Sequence, residues 1–257
     1  MFAPGSTLVT CTATDALARA ASCIFNVVVT ITPKISKTKF LAFGDSITEG
    51  RCGPKPNTCP PWTVRFEELL RERYTGQTFV VTNRGLSGEK ATEGKDRILG
   101  ELLAYRPEVL LLMEGTNDMT AAFPDGNKAI ESLDTMISIA YANGVTAVFL
   151  ATIPPIAPNG PNNAAIPLVP SLNIRIRALA MRRGVPLVDV YAALNADVPR
   201  YYVGDDLHPT AEGLRLIGET FYASVRAVLD ITPIGGSASP SPWSAQVFQS
   251  PPLTRRR

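Results

Sequence analysis

The chain has 257 residues, 45% hydrophobic and 19% charged, with a net charge of +2, four cysteines and one histidine. That length and balance suit a globular protein with one substantial core and room for a small appendage. They exclude a chain too polar to fold, and they provide no concentrated basic patch for nucleic acid or an anionic surface. No apolar run is long enough to span a bilayer, and the terminal Arg-Arg-Arg reads as a solvated tail.

Residues 1–33 read as β structure. Phe25, Val27, Val29 and Ile31 alternate onto one face of "SCIFNVVVTI", and "TLVTCTAT" forms a second short strand before it. Cys11 and Cys23 lie equally far from Leu17, so a hairpin turning there sets them opposite each other, within reach of a cross-strand disulfide. The stretch resembles the closing strands of a hyalin-repeat (HYR) domain, an immunoglobulin-like module. The resemblance implies a β-hairpin remnant over 1–33, joined by a linker over 34–38. Cys52 and Cys59 bracket the loop "RCGPKPNTCPP" and form a second local pair. Paired cysteines point to an oxidising compartment, and with a single histidine they argue against a zinc site. The opening "MFAPGSTLVT" lacks the basic start and apolar run of a signal peptide. The expectation is therefore a secreted protein whose leader is absent from this chain.

From Thr38 onward, apolar runs alternate with helix-like stretches. The runs are "FLAF" and those at 79–82, 109–113, 147–152 and 185–190. The helical patterns cover 62–74, 89–105, 127–143, 170–183 and 210–230. In the last of these Leu214, Ile217, Phe221, Val225 and Leu229 recur at helical spacing. Five βα units predict a three-layer α/β/α sandwich on a five-stranded parallel sheet, occupying 39–232. The Pro-rich stretch 153–170 reads as a surface loop, too polar for the core, near the substrate entrance. Residues 233–257, rich in Pro, Ser and Gly, read as a flexible tail.

In such a sheet, ligands gather beyond the carboxyl ends of the strands. The first run ends in Gly44-Asp45-Ser46, the second in "NRGLSG", the third in "EGTND", and "GDDLHPT" precedes the final helix. Ser46 is a nucleophile if a base takes its proton, and His208 is the side chain suited to that near neutral pH. Asp205, three residues earlier, can aim a carboxylate at the histidine's Nδ1–H. The Ser46 N–H, the Gly85 N–H and the Asn117 amide can receive an oxyanion. Asp45 braces the turn, Gly88 permits one, and Asp118 stands behind the reacting groups.

These blocks, in this order, resemble the SGNH hydrolases, also called the GDSL esterase/lipase family, over roughly residues 39–230. The first reads Gly-Asp-Ser-Ile here instead of Gly-Asp-Ser-Leu. The resemblance implies a flavodoxin-like fold and cofactor-free ester hydrolysis by Ser46, His208 and Asp205. The expected substrate is a small-molecule or polysaccharide ester with a short, acetyl-like acyl group, and the expected assembly is a monomer. The alternatives are a lysophospholipase or thioesterase on the same fold, or a non-catalytic adhesion or carbohydrate-binding protein.

Overall fold

A computed structural model describes residues 2–53, 59–119, 126–158 and 160–232. The tail expected over 233–257 lies outside them. By contacts the chain divides into a hairpin unit within residues 1–31 and an α/β unit, Thr32–Ile231.

The hairpin pairs β1 (Gly5–Thr14) with β2 (Ala20–Val29), antiparallel. Asp15 closes its turn by accepting the Leu17 and Arg19 N–H groups at 2.9 and 3.0 Å, an Asx-type turn. Cys11 faces Cys23 in the register, as their spacing requires. Their sulfurs are nevertheless unbonded and exposed, so the expected Cys11–Cys23 disulfide is absent from this structure. Side chains directly opposite on a ribbon rise side by side. Closing a disulfide requires both to turn to a near right-angled torsion, and these two remain thiols.

The α/β unit opens with β3 (Lys39–Gly44), α1 (Ser46–Glu49), α2 (Trp62–Arg73) and β4 (Val80–Gly85). It continues with α3 (Ala91–Tyr105), β5 (Val109–Met113), α4 (Asn127–Ala142), β6 (Ala147–Ala151) and α5 (Leu168–Arg183). It closes with β7 (Leu187–Val188), α6 (Val190–Asn195), α7 (Val198–Tyr201) and α8 (Ala211–Leu229). The strands form one parallel sheet in the order β4-β3-β5-β6-β7. Because side chains alternate along a strand, each face builds its own core. Leu41, Phe43, Leu110 and Leu112 pack under α3, α4 and α5. Phe40, Ala42, Leu111 and Met113 pack under α2 and α8, where Trp62 stacks on Phe221 at 4.3 Å. That is the expected three-layer sandwich.

Two stretches differ from their sequence reading. The fifth apolar run yields only a two-residue strand. Pro186 has no N–H for the ladder, and Asp189 caps α6 instead, accepting the Ala192 N–H at 3.1 Å. The Pro-rich segment after β6 is no surface loop at its start: Ile153, Ile156 and Ala157 are buried. Its polar backbone tolerates this because the wholly buried Asn173 of α5 pairs with both the N–H and the C=O of Ile153, each at 2.9 Å. A buried amide thus replaces solvent for that turn of chain.

Candidate active site

The chain leaves β3 at Gly44 and turns directly into α1, so Ser46 is the first residue of a short helix at the carboxyl edge of the sheet. Asp45 caps that helix by accepting the Ile47 N–H at 2.9 Å. Behind the turn, Asn83 donates to the Thr48 carbonyl at 2.6 Å. Gly85 lies so close that a Cβ there would sit 2.0 Å from the Glu49 nitrogen. The Ser46 turn is therefore seated on the end of β4.

From the opposite side, the loop ahead of α8 brings in the other two groups. His208 Nε2 lies 2.9 Å from Ser46 Oγ, and Nδ1 lies 2.9 Å from Asp205 Oδ2. The other oxygen of Asp205 accepts the Leu207 and His208 N–H groups at 2.7 and 3.0 Å. Burial pushes the Asp205 carboxyl upward. The hydrogen bonds from the His208 ring and from the two backbone N–H groups outweigh it, and the carboxyl ends below its ordinary value. The group facing Nδ1 is thus an acceptor at neutral pH. It holds a proton on Nδ1 and leaves the Nε2 lone pair for Ser46.

The oxyanion side differs from the sequence reading at one position. Ser46, Gly88, Asn117 and His208 line a cavity of about 290 Å³ together with Arg51, Ser87 and Leu207. Gly85 is not among its walls, and its N–H donates to Asn83 Oδ1 at 2.9 Å. The Gly85 N–H expected to serve there is thus taken up at the end of β4, and it is Gly88, at φ +80°, that lines the cavity. The sequence carried the signal, since "NRGLSG" offers two glycines. Only the length of β4, which runs on through Gly85, separates them. Asn117 is fixed by donating to the Glu89 carbonyl at 2.7 Å. Glu89 in turn is gripped by Arg97, whose Nε reaches its carboxylate at 2.7 Å. Arg51 and Ser87, which sequence reading passed over, form exposed walls of this cavity, and both donate to Glu49. Cys52 and Cys59 are joined by a disulfide just beyond α1, as expected.

Asp118 accepts the Ala91 N–H at 2.8 Å, starting α3 rather than entering the cavity. At the Ser46 turn, Asp45 and Glu114 are buried. Burial first, and then the charges of Asp45, Glu89 and Asp118, push the Glu114 carboxyl well above the carboxylate range. Burial likewise raises Asp45 to about 6. An unfolded Asp ionises near pH 4, so folding favours its protonated form. Its contribution to stability is complete below pH 4, is lost as pH rises through 6, and becomes a standing cost above that. Asp45→Asn keeps the acceptor for Ile47 and carries no charge. It should raise stability at pH 7 by about 2–3 kcal/mol and flatten the dependence between pH 4 and 7. Urea unfolding at pH 4.5 and 7 checks this, and a less stable variant at pH 7 would contradict it.

Among the described residues, no group of three or more His, Cys, Asp and Glu side chains could hold a metal ion, and no helix is long and apolar enough to cross a membrane.

Comparison with known proteins gives consistent matches. The sequence model of the GDSL-like Lipase/Acylhydrolase family matches residues 42–216. An arylesterase of Vibrio mimicus is 27% identical over 183 residues, 70% of this chain and 84% of that protein. A catalytic mutant of an acetylxylan esterase from Geobacillus stearothermophilus superposes with a TM-score of 0.63 at 19% identity, covering 76% of this chain and 96% of the other. A lipase/acylhydrolase from Enterococcus faecalis gives 0.63 at 21% identity, covering 75% and 97%. A GDSL-like lipase from Bacteroides thetaiotaomicron gives 0.57 at 25%, covering 74% and 88%.

Proposed function

The chain belongs to the GDSL-like lipase/acylhydrolase family and is a carboxylic ester hydrolase, and from that premise we propose that Ser46, His208 and Asp205 cleave short-chain acyl esters of sugars. One observation carries the mechanism: an unbroken relay in which Ser46 Oγ meets His208 Nε2 at 2.9 Å and Nδ1 meets Asp205 at 2.9 Å.

As Ser46 Oγ attacks the ester carbonyl, its proton passes to His208 Nε2, and the imidazolium is stabilised by the Asp205 carboxylate. The carbonyl oxygen becomes an oxyanion held by the N–H groups of Ser46 and Gly88 and by the Asn117 side-chain amide, which Glu89 positions. Collapse of the tetrahedral species breaks the bond to the alcohol oxygen, which leaves with the proton from Nε2. The acyl group stays on Ser46. Water then enters, His208 takes one of its protons, and a second tetrahedral species collapses to release the carboxylic acid and restore the Ser46 hydroxyl.

The small volume of the cavity at Ser46, about 290 Å³ and edged by the polar Arg51 and Ser87, supports a short acyl group over a fatty chain. The Cys52–Cys59 disulfide supports action outside the reducing cytosol. The hairpin is assigned on its sequence resemblance to the end of a hyalin-repeat module. With p-nitrophenyl esters of increasing chain length, kcat/KM should peak at acetyl to butyryl and fall roughly ten-fold or more by decanoyl. Such a fall corresponds to about 1.4 kcal/mol of lost transition-state binding. A maximum at decanoyl or longer would instead support lysophospholipase or thioesterase action.

A further inference from the structure

Building on that reading, we propose that a second cavity, beside His208, is the seat of the leaving alcohol, and that Asp206 sets its selectivity for a polyhydroxylated alcohol of sugar-ring size. The cavity measures about 580 Å³ and is walled by Ala157, Pro158, Pro161, Asn162, Tyr202 and His208. It adjoins the oxyanion cavity across Leu207 and His208, which line both. Sites for whole small molecules usually occupy roughly 300–1,000 Å³. The space beside His208 falls well inside that range, whereas the oxyanion cavity, about 290 Å³, lies at its lower edge. Chemistry assigns the two spaces. Ser46, Gly88 and Asn117 line only the smaller cavity, so the acyl carbonyl sits there. The alcohol oxygen collects its proton from His208, which lines both, and the alcohol extends past it into the larger space.

Asp206 shapes the larger cavity. On the loop ahead of α8, Asp205 faces His208 while its neighbour Asp206 turns the other way, with 7% of its surface exposed. Its two carboxylate oxygens accept the Asn162 N–H at 2.7 Å and the Asn162 side-chain amide at 3.0 Å. Its carbonyl accepts the Ala157 N–H at 2.8 Å. At Gly160 a Cβ would stand 2.2 Å from the Asp206 carboxyl carbon, so the wall closes over the carboxylate only where there is no side chain. One short segment therefore carries both the base with its acid and the clamp on the alcohol wall. The wall offers proline rings and Ala157 for the C–H faces of a sugar. It offers the backbone of Gly204 for its hydroxyls. Asp206 is thus a positioning residue: it acts through the wall, not through the triad.

The test uses acetate esters of three alcohols: methanol, cyclohexanol and methyl β-xylopyranoside. Wild type should favour the sugar ester by kcat/KM. Asp206→Ala should raise KM for the sugar ester about ten-fold, the scale of one or two lost hydrogen bonds. On methyl acetate its kcat/KM should stay within about two-fold of wild type, with an unchanged pH profile. Asp206→Asn, which restores an acceptor for the Asn162 N–H, should recover most of the loss. Asn162→Ala, which leaves the buried carboxylate in place, should move the sugar KM the same way by a smaller factor. Equal losses on the methyl and sugar esters, or no change in either, would overturn the assignment of Asp206. A wild type that prefers cyclohexyl acetate would overturn the sugar-like ligand class. Failure of wild type on all three esters would overturn the proposed esterase reaction itself, an outcome distinct from the others.

Discussion

Ser46→Ala and His208→Ala should each abolish ester hydrolysis almost completely, lowering kcat by roughly 10⁴–10⁶ with circular dichroism unchanged. Neither side chain holds the fold. Ser46 keeps its place through the backbone, since Asp45 caps α1 through Ile47 and the Ser46 carbonyl accepts from Gly50 and Arg51. His208 stands at the cavity, its side chain 22% exposed, and removing it empties no core cluster. The double variant should be scarcely worse than either single one, because the two groups act as a unit. Near-wild-type turnover in either single variant would remove that residue from the mechanism. Since His208 is the only histidine, a histidine-selective reagent reports on it alone.

Asp205→Asn should cost about 10⁴ in kcat, and the hydrogen bonds around it say why. One oxygen of Asp205 accepts two backbone N–H groups, from Leu207 and His208. An asparagine would leave its carbonyl oxygen there and turn its NH₂ toward His208 Nδ1. The ring would then carry its proton on Nε2, facing Ser46 with a donor where an acceptor is needed. The depressed carboxyl of Asp205 fits the same picture, since three hydrogen-bond donors converge on its ionised form. The variant should therefore fold normally and lose kcat with little change in KM. If kcat fell less than about ten-fold, His208 would be oriented by something other than Asp205.

The meeting of Ser46, His208 and Asp205, which we propose as nucleophile, base and acid, was legible in the sequence because these residues are chemically singular: one histidine, one Gly-Asp-Ser turn directly after an apolar strand, and an aspartate one turn before the histidine. Which glycine lines the cavity was not, because choosing between Gly85 and Gly88 requires knowing where β4 ends. That end is fixed by Asn83 accepting the Gly85 N–H, a contact between residues two apart that no periodicity announces. The buried start of the Pro-rich stretch was hidden for a related reason. Its backbone is satisfied from Asn173, twenty residues downstream. Asp206 stands next to Asp205 with no signal in the sequence to mark it. Its partner Asn162 lies forty-four residues away in sequence, so its part in the wall became visible only in three dimensions. The parallel sheet and its flanking helices, by contrast, were legible directly, because apolar runs alternate with helix-period stretches along the chain.

The most direct test of the central claim, that Ser46 is activated by His208, is labelling with a fluorophosphonate ester followed by mass spectrometry of the digested protein. A single adduct on the peptide containing Ser46 is expected in the wild type, with labelling lost in His208→Ala and retained in Asp206→Ala. An adduct on another residue, or undiminished labelling of Ser46 without His208, would contradict it.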